Sequence, residues 1–169
     1  NRKNRLLRQH EAILMAFTPN DSLQKQIERG EVWTQSTKFD LAAGSNITIF
    51  PIIDVNKTMF ILELYTRAKL NIRITEGSTV SVSGASYNSI NMERSGTYST
   101  NVDVESSTST TGGSIILNTT VPELNGATTQ FSGEAGLILK ESTVYEYRFS
   151  NQSASQALLN VNWYFREIG

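Results

Sequence analysis

The stretch STVYEYRFSNQSASQALLNVNWYF, residues 142–165, is the most regular part of the chain and decides its fold. Apolar side chains occupy every second position before and after a polar patch, and this period of two is typical of strands with one buried face. We therefore predict two strands, residues 143–150 and 157–166, that form a hairpin and supply the structural core. The predicted core side chains are Tyr145, Tyr147, Phe149, Leu159, Val161, Trp163 and Phe165.

The even-numbered side chains of the same stretch are mostly polar, and they include Glu146, Arg148, Asn160 and Asn162. Because successive side chains of a strand point to opposite faces, we expect these four to point into solvent. A shift by one residue would expose Trp163 and bury Asn162. The hydrophobic pattern therefore fixes the register of this segment.

The period of two continues through the chain from Val32 onward, with Gly, Asn, Ser and Pro between the alternating segments. No helical pattern interrupts them. We therefore predict an all-β fold, an antiparallel β-sandwich with a jelly-roll-like arrangement, for one domain of residues 32–169. The other strands are expected near residues 32–39, 46–53, 58–66, 69–75, 79–83, 98–105, 114–121 and 135–139.

Turn residues mark two further places in this domain. Gly112-Gly113 and Asn125-Gly126 are typical of tight turns. Residues 95–114, SGTYSTNVDVESSTSTTGGS, are almost entirely polar around one short alternating core. We expect this segment to be a long surface loop or an exposed edge hairpin.

Residues 1–31 differ from the rest and are predicted to form a short N-terminal α-helical arm. Apolar or weakly polar side chains recur there at steps of three and four residues, and charged side chains fill the positions between them. Pro19 ends this helix, Asn20 or Asp21 caps a second short one, and Gly30 provides a left-handed stop. The recurring side chains are Leu6, His10, Ile13, Leu14 and Phe17.

The basic run at the start of the arm has three interpretations. It is a solvated helix face, or it docks the arm onto an acidic or apolar patch of another protein, or it lies on a membrane. An apolar stripe that has no partner in isolation favours self-association or docking. The predicted partner-binding side chains are Arg2, Arg5, Leu6, Arg8, His10, Ile13, Leu14 and Phe17.

Composition excludes several classes of partner and chemistry. The chain has 169 residues, a formal net charge of -1 and no cysteine. Such a balance provides no basic field for nucleic acid, and the absence of cysteine removes disulfides and thiolate chemistry. No apolar run approaches the roughly 20 residues that span a membrane, and the start of the chain lacks a signal-peptide pattern. We expect neither nucleic acid nor a membrane as a partner.

Residues with catalytic potential are sparse. His10 is the only histidine, which leaves no histidine in the β domain for a Ser-His-Asp triad or a metal site. Glu134, Glu141 and Glu146 are close in sequence, but nothing in the pattern aims two of them into one cleft. We therefore predict that the protein is not an enzyme and that it holds no cofactor or metal.

Two segments of the β domain resemble a known family. Residues 61–95 contain a Thr75-Glu76-Gly77 turn, and residues 136–167 end in the aromatic pair Trp163-Tyr164. These segments are similar to capsid decoration proteins, or auxiliary head proteins, of tailed bacteriophages. The other matching positions are Gly84, Tyr87, Asn88, Asn91, Arg94, Leu139, Lys140, Tyr145, Arg148, Phe149, Ser150 and Asn151.

The resemblance implies a structural virion protein on the outer capsid surface. Such a protein decorates or cements the capsid through contacts with the major capsid protein, and it is commonly a symmetric homo-oligomer. We expect a closed oligomer, a trimer, because oligomers cover exposed edge strands.

Two alternatives belong to other classes. One is a receptor-binding or carbohydrate-binding module, similar to a tail fibre or adhesin, in which exposed aromatic residues such as Tyr87 and Tyr98 stack on sugars. The other is a hydrolase with oxygen ligands, whose activity would depend on one glutamate.

Overall fold

The structure is a computed structural model that describes residues 25, 27–53, 57–93, 95, 102–123, 129–132, 137–140 and 142–168. This part of the chain is almost entirely β-strand, which confirms the all-β prediction. The strands are β1 (Val32–Leu41), β2 (Asn46–Ile53), β3 (Lys57–Thr66), β4 (Leu70–Glu76), β5 (Thr79–Asn88), β6 (Ile90–Asn91), β7 (Val102–Thr111), β8 (Ser114–Val121), β9 (Thr129–Ser132), β10 (Leu137–Leu139), β11 (Tyr145–Asn151) and β12 (Ala157–Ile168).

The strands form two antiparallel sheets. The first sheet has the order β10-β3-β12-β1-β6, and β9 pairs with β3 as well. The second sheet has the order β5-β7-β2-β11-β4-β8. Strands from the two halves of the chain pair in a nested way, because β1 pairs with β12, β2 with β11 and β3 with β10. The sequence did not predict the short strands β6 and β9.

The predicted hairpin of residues 143–150 and 157–166 is wrong. β11 pairs with β2 and β4 in the second sheet, whereas β12 pairs with β1 and β3 in the first. The alternating pattern identifies the buried face of each strand but not the neighbour that receives its hydrogen bonds. Two such faces can therefore lie opposite one another in separate sheets, and this is the arrangement found.

The core fills the space between the sheets. The seven side chains predicted for it from residues 142–165 are at most 2% exposed. The Phe60 ring of β3 lies 4.8 Å from Tyr147 of the second sheet and 4.9 Å from Phe165 of its own sheet, centroid to centroid. Each buried aromatic or aliphatic side chain contributes on the order of 1.5–3 kcal/mol. The packed odd-numbered faces of β11 and β12 thus hold the two sheets together.

Strands β4 and β5, with β8 and β7 opposite them, form one continuous two-stranded ribbon. The register runs from Leu70 opposite Val121 to Glu76 opposite Ser114, and it resumes with Thr79 opposite Thr111. Between these segments the ribbon bends at residues 77–78 and 112–113, where Gly77, Gly112 and Gly113 have φ values of 75°, 73° and 85°. Before the bend β4 pairs with β11, and beyond the bend β7 pairs with β2. Both halves of the ribbon therefore belong to the second sheet, one on each side of the β2·β11 pair.

The bend places polar groups over the even-numbered face of β11. Glu146 was expected in solvent, but its side chain is only 3% exposed, so that prediction is wrong. Its carboxylate lies 3.0 Å from Arg148 Nη2 and 3.4 Å from Arg73 Nη2. Ser78, within the bend, donates a hydrogen bond to Glu146 Oε2 at 3.3 Å. Buried carboxylates are stable when paired in this way, so the two arginines hold Glu146 in the sheet and the Ser78 hydrogen bond couples the bend to it.

Arg148, Asn160 and Asn162 were also expected to point into solvent. Arg148 is 30% exposed and donates hydrogen bonds to Thr48 and Thr110. Asn160 is exposed, and Asn162 is partly buried and accepts a hydrogen bond from Ser36. The even-numbered face is therefore solvated on β12 but covered on β11.

The Ser/Thr-rich segment contributes a strand rather than a long loop. Residues 102–111 form β7, which pairs with β2 on one side and with the edge strand β5 on the other. Because β7 has a neighbour on both sides, it is not an exposed edge, and the chain continues through residues 112–113 into β8 without turning back, so both alternatives are wrong for residues 102–111. Asn125-Gly126 lies outside the described residues.

Of the predicted arm, the described residues include only the last few, from residue 25 onward. Residues 25, 27 and 28 are helical, and Gly30 has a φ of 72°, as expected for a left-handed stop. The Asn91 side chain donates a hydrogen bond to Gly30 O at 2.7 Å, which ties this residue to the sandwich. No helix within the described ranges is long and apolar enough to cross a membrane.

The bend provides a matched pair of substitutions. A Cβ atom at Gly113 would lie 2.7 Å from Thr75 Cγ2 and 2.9 Å from Glu76 O, whereas one at Gly112 would meet nothing within 4 Å. We expect Gly113→Ala to lower the free energy of unfolding by about 3 kcal/mol and Gly112→Ala by about 1 kcal/mol. Urea unfolding of both variants measures this difference. Equal losses would show that only the left-handed backbone, and not close packing, requires glycine there.

Candidate functional site

Asn151, the last residue of β11, organises one end of the sandwich. Its side chain is 2% exposed, and its Nδ2 donates to Leu41 O and Ala42 O at 3.1 Å and to Ser155 O at 2.9 Å. Its Oδ1 accepts a hydrogen bond from Ser153 N at 2.9 Å. One side-chain amide thereby bonds to three backbone carbonyl groups at this end of the sandwich. One of them, Ser155 O, belongs to the loop that joins β11 to β12.

Ser153 extends this network to two other connections. Its Oγ accepts a hydrogen bond from Lys69 N at 2.8 Å and donates one to Glu123 Oε2 at 3.3 Å. Gln152 N donates to Lys69 O at 2.9 Å. The β11–β12 loop, the β3–β4 turn and the segment after β8 are therefore held against one another.

These segments enclose a cleft of about 500 Å³, which we call the end cleft. Asn160 of β12 lies opposite Tyr65 of β3 in the register, so both belong to the outer face of the first sheet. The side chains that define the end cleft are Tyr65, Arg67, Glu123, Gln156, Leu158 and Asn160.

Some polar side chains of the end cleft have hydrogen-bond partners, whereas others have none among the described residues. Glu123 accepts the hydrogen bond from Ser153, and the Tyr65 hydroxyl donates to Glu63 Oε2 at 3.4 Å. Burial, with the Glu63 carboxylate nearby, raises the pKa of Tyr65, so its hydroxyl stays protonated at neutral pH. Within the described part of the chain, the side chains of Arg67, Gln156 and Asn160 have no hydrogen-bond or ion-pair partner.

A second surface of interest is the side of β8 that pairs with no other strand among the described residues, which we call the β8 edge. Its sequence, SIILNTTV over residues 114–121, contains no charged residue. Ile115 and Ile116 are 57% and 45% exposed. Ile74 pairs with Leu117 and Thr75 with Ile115, so a bulge leaves Ile116 without an opposite residue. Natural sheet edges are usually protected by charges, proline or bulges, and only the bulge is present here.

The predicted partner-binding residues cannot be placed on either surface. Arg2, Arg5, Leu6, Arg8, His10, Ile13, Leu14 and Phe17 all lie outside the described residues. Their role in binding stays a prediction.

Tyr87 does not form the exposed stacking platform that the carbohydrate-binding alternative required. Its partly buried ring packs edge-on against Phe39 at 5.8 Å and against Trp163 at 6.1 Å, centroid to centroid. It closes the core beneath the edge strand β5, and that part of the alternative is wrong. Tyr98 lies outside the described residues.

Of the three glutamates considered for catalysis, the structure describes Glu146. Glu134 and Glu141 lie outside the described residues, and Glu146 is engaged by two arginines. Among the residues that the structure does describe, no group of three or more His, Cys, Asp or Glu side chains could hold a metal ion.

Several residues that carry the family resemblance have structural contacts. Lys140 Nζ lies 2.5 Å from Glu76 Oε1, and the Tyr145 hydroxyl donates to Glu76 Oε2 at 3.0 Å. These hydrogen bonds lower the pKa of Glu76 and keep it ionised. Arg148 and Asn151 hold the networks described above, whereas Arg94 lies outside the described residues.

Sequence reasoning missed the end cleft. The polar patch of residues 151–155, between the two alternating segments, predicts a hairpin loop, and a hairpin loop does not require a buried polar side chain to hold it. The sequence signal was present as Asn-Gln-Ser directly after a buried strand, because Asn and Ser side chains often bond to nearby backbone groups.

Comparisons with known proteins give no relative. No protein-family model, no curated protein and no solved structure matches this chain.

The Asn151 network can be tested by one isosteric change. Asn151→Asp replaces the donating amide with a carboxylate that faces three carbonyl oxygens, so we expect a loss of about 3 kcal/mol in the free energy of unfolding. Asn160→Asp, on the exposed face of β12, should change stability by less than about 0.5 kcal/mol. Chemical denaturation of both variants provides the measurement. Similar effects at the two positions would contradict the anchoring role of Asn151.

Proposed function

We propose that this chain is a structural virion protein, which decorates or cements a bacteriophage capsid through protein–protein contacts. The β8 edge is the observation that carries the proposal. The family resemblance provides the biological setting, the outer surface of the capsid, and the partner, the major capsid protein.

The strand order supports this proposal. The nested pairs β1·β12, β2·β11, β3·β10 and β4·β8 alternate between the two sheets. We interpret this order as a jelly roll, to which the β5·β7 ribbon adds two strands on the free side of β2. Jelly rolls are common in viral capsid and lectin domains.

The β8 edge has the properties of a contact surface. Its eight residues expose unpaired backbone groups and two isoleucine side chains without any charge that would repel an incoming strand. Added strands bind such edges through main-chain hydrogen bonds, and side-chain pockets then provide specificity. The other edge of the second sheet, β5, has the sequence TVSVSGASYN and is also uncharged.

Two open edges on one sheet permit a closed homo-oligomer. If the β8 edge of each copy pairs with the β5 edge of its neighbour, the contact is heterologous and a rotation can close it into a ring. The trimer predicted from the sequence is such a ring. Each copy would then bring one face to the capsid.

A receptor-binding or carbohydrate-binding module is the second candidate function. The end cleft favours it, because a polar cleft with uncommitted side chains is not needed for attachment to a capsid.

The β8 edge can be tested with a matched pair of exposed isoleucines. Ile116→Lys places a charge on β8, whereas Ile138→Lys places one on β10, where Ile138 is 55% exposed. We expect the first variant to lose at least tenfold in affinity for capsids assembled from the major capsid protein of the same genome, and to dissociate into monomers. The second variant should behave as the wild type. Co-sedimentation and light scattering measure both properties.

Two results would contradict this assignment. Full capsid binding by Ile116→Lys would exclude the β8 edge. A loss confined to Ile138→Lys would move the contact to the first sheet.

The predicted arm can be tested by truncation. Because Gly30 is bound by Asn91, we choose removal of residues 1–24, which leaves that contact in place. The truncated chain should keep the cooperative unfolding of the full chain but should no longer sediment with capsids. Undiminished sedimentation would show that residues 1–24 do not contribute to attachment. Circular dichroism checks that the β domain remains folded.

A further inference from the structure

We propose that the end cleft is a binding site for a neutral saccharide. The inference deepens the second candidate function and does not depend on attachment to a capsid. It rests on the shape of the cleft, the rigidity of its walls, and the polar groups that remain without partners.

Hydrogen bonds hold the backbone segments that form the walls of the cleft against one another. Asn151 and Ser153 hold the loop that carries Gln156, and Lys69 and Glu123 fix the adjoining segments against that loop. Strand β12 positions Asn160 and Leu158. A preorganised site avoids the entropy cost of ordering loops on binding, which matters for weakly bound ligands such as sugars.

Three planar polar side chains provide hydrogen bonds to a ligand. The amides of Gln156 and Asn160 each present a donor and an acceptor, and the Arg67 guanidinium presents several donors in a fixed plane. None of the three is engaged by another described residue. Adjacent hydroxyl groups of a pyranose ring match such planar groups, because each group can contact two hydroxyls at once.

An apolar surface completes the site. Leu158 is 42% exposed, and the Tyr65 ring lies across the strand from Asn160. The C–H face of a sugar ring packs on surfaces of this kind while its hydroxyls reach the polar side chains. The volume of about 500 Å³ is within the range typical of small-molecule sites.

The charges in the cleft favour a neutral ligand. Arg67 and Glu123 have opposite charges and form no ion pair with one another. Their formal charges sum to zero, and no other charged side chain among the described residues lines the cleft, so the cleft has no net charge that would select an anionic or a cationic sugar. A neutral sugar accepts hydrogen bonds from Arg67 and donates to Glu123.

A second polar cleft among the described residues lacks these features. It measures about 490 Å³ and is lined by serine and threonine side chains around Arg148. The Arg148 guanidinium is already engaged by Glu146, Thr48 and Thr110. Its lining also includes no aromatic ring.

The test uses the full chain and defined sugar probes. The protein is screened on an array of neutral and anionic oligosaccharides. The neutral glycan with the strongest signal, together with glucose, galactose, mannose and N-acetylglucosamine, is then titrated into isotope-labelled protein and followed by NMR. We expect a neutral sugar to shift amide resonances of residues 153–160. Gln156→Ala and Asn160→Ala should each weaken binding about five- to tenfold, which corresponds to one lost hydrogen bond.

Gln152→Ala is the matched control, because Gln152 is exposed in the same loop but does not line the cleft. Its affinity should stay within twofold of the wild type. The proposal is overturned if no neutral sugar shifts these resonances, if only anionic glycans bind, or if Gln152→Ala weakens binding as much as Gln156→Ala. Since capsid attachment is measured separately with the β8 variants, failure of the saccharide site leaves the capsid proposal unaffected.

Discussion

The structure depends on how the chain crosses between its two sheets at the Asn151 end. The β1–β2 turn, the β3–β4 turn and the β11–β12 loop all make this crossing, and each leaves backbone groups outside the sheet ladders. Two backbone hydrogen bonds join these connections directly, from Asn151 N to Ser45 O and from Gln152 N to Lys69 O, both at 2.9 Å, and buried side chains satisfy further groups. Asn151 and Ser153 bond to all three connections, at Leu41 and Ala42, at Lys69, and within their own loop. Two buried polar side chains thus allow the aromatic faces of β11 and β12 to meet in the core, because an unsatisfied backbone N–H or C=O at each crossing would cost about as much as a buried side chain contributes.

The bent ribbon covers part of the outer face of the second sheet. A sandwich normally leaves the outer face of each sheet in water, but here the ribbon returns to β2 after its bend and brings Ser78 and Thr110 over the centre of that face. The Glu146 carboxylate is therefore removed from water and requires the two arginines beside it. The pairing of β8 with β4 ends beside the same bend at Ser114, and no described strand pairs with the other side of β8. The bend is therefore adjacent both to the buried ion-pair network and to the β8 edge.

The sequence was informative where one residue type decides one local property. Alternation identified the buried face of β11 and β12, and Gly30 marked a left-handed position. The sequence was not informative where the local structure depends on contacts with distant segments of the chain. Glu146 has the neighbours of a solvated carboxylate in the sequence, but its partners Arg73 and Ser78 reach it only because of the ribbon. Strand pairing is set by packing across the whole domain and not by local pattern. For this reason the sequence also did not predict that β11 and β12 belong to different sheets, that β9 is a strand, or that the end cleft forms.

The two surfaces of interest lie at opposite ends of the same strand. Ile115 is next to the bend, whereas Glu123 follows the last residue of β8 and belongs to the end cleft. Eight residues of extended chain separate these positions by about 25 Å, at roughly 3.3 Å per residue. A partner strand on the bend-proximal half of β8 would leave the end cleft accessible. If both proposals hold, attachment through the β8 edge and saccharide binding in the end cleft would not compete for the same surface. The two proposals also require different kinds of surface, because recognition of a small ligand needs fixed hydrogen-bonding groups, whereas strand addition needs an unpaired backbone without repelling charges.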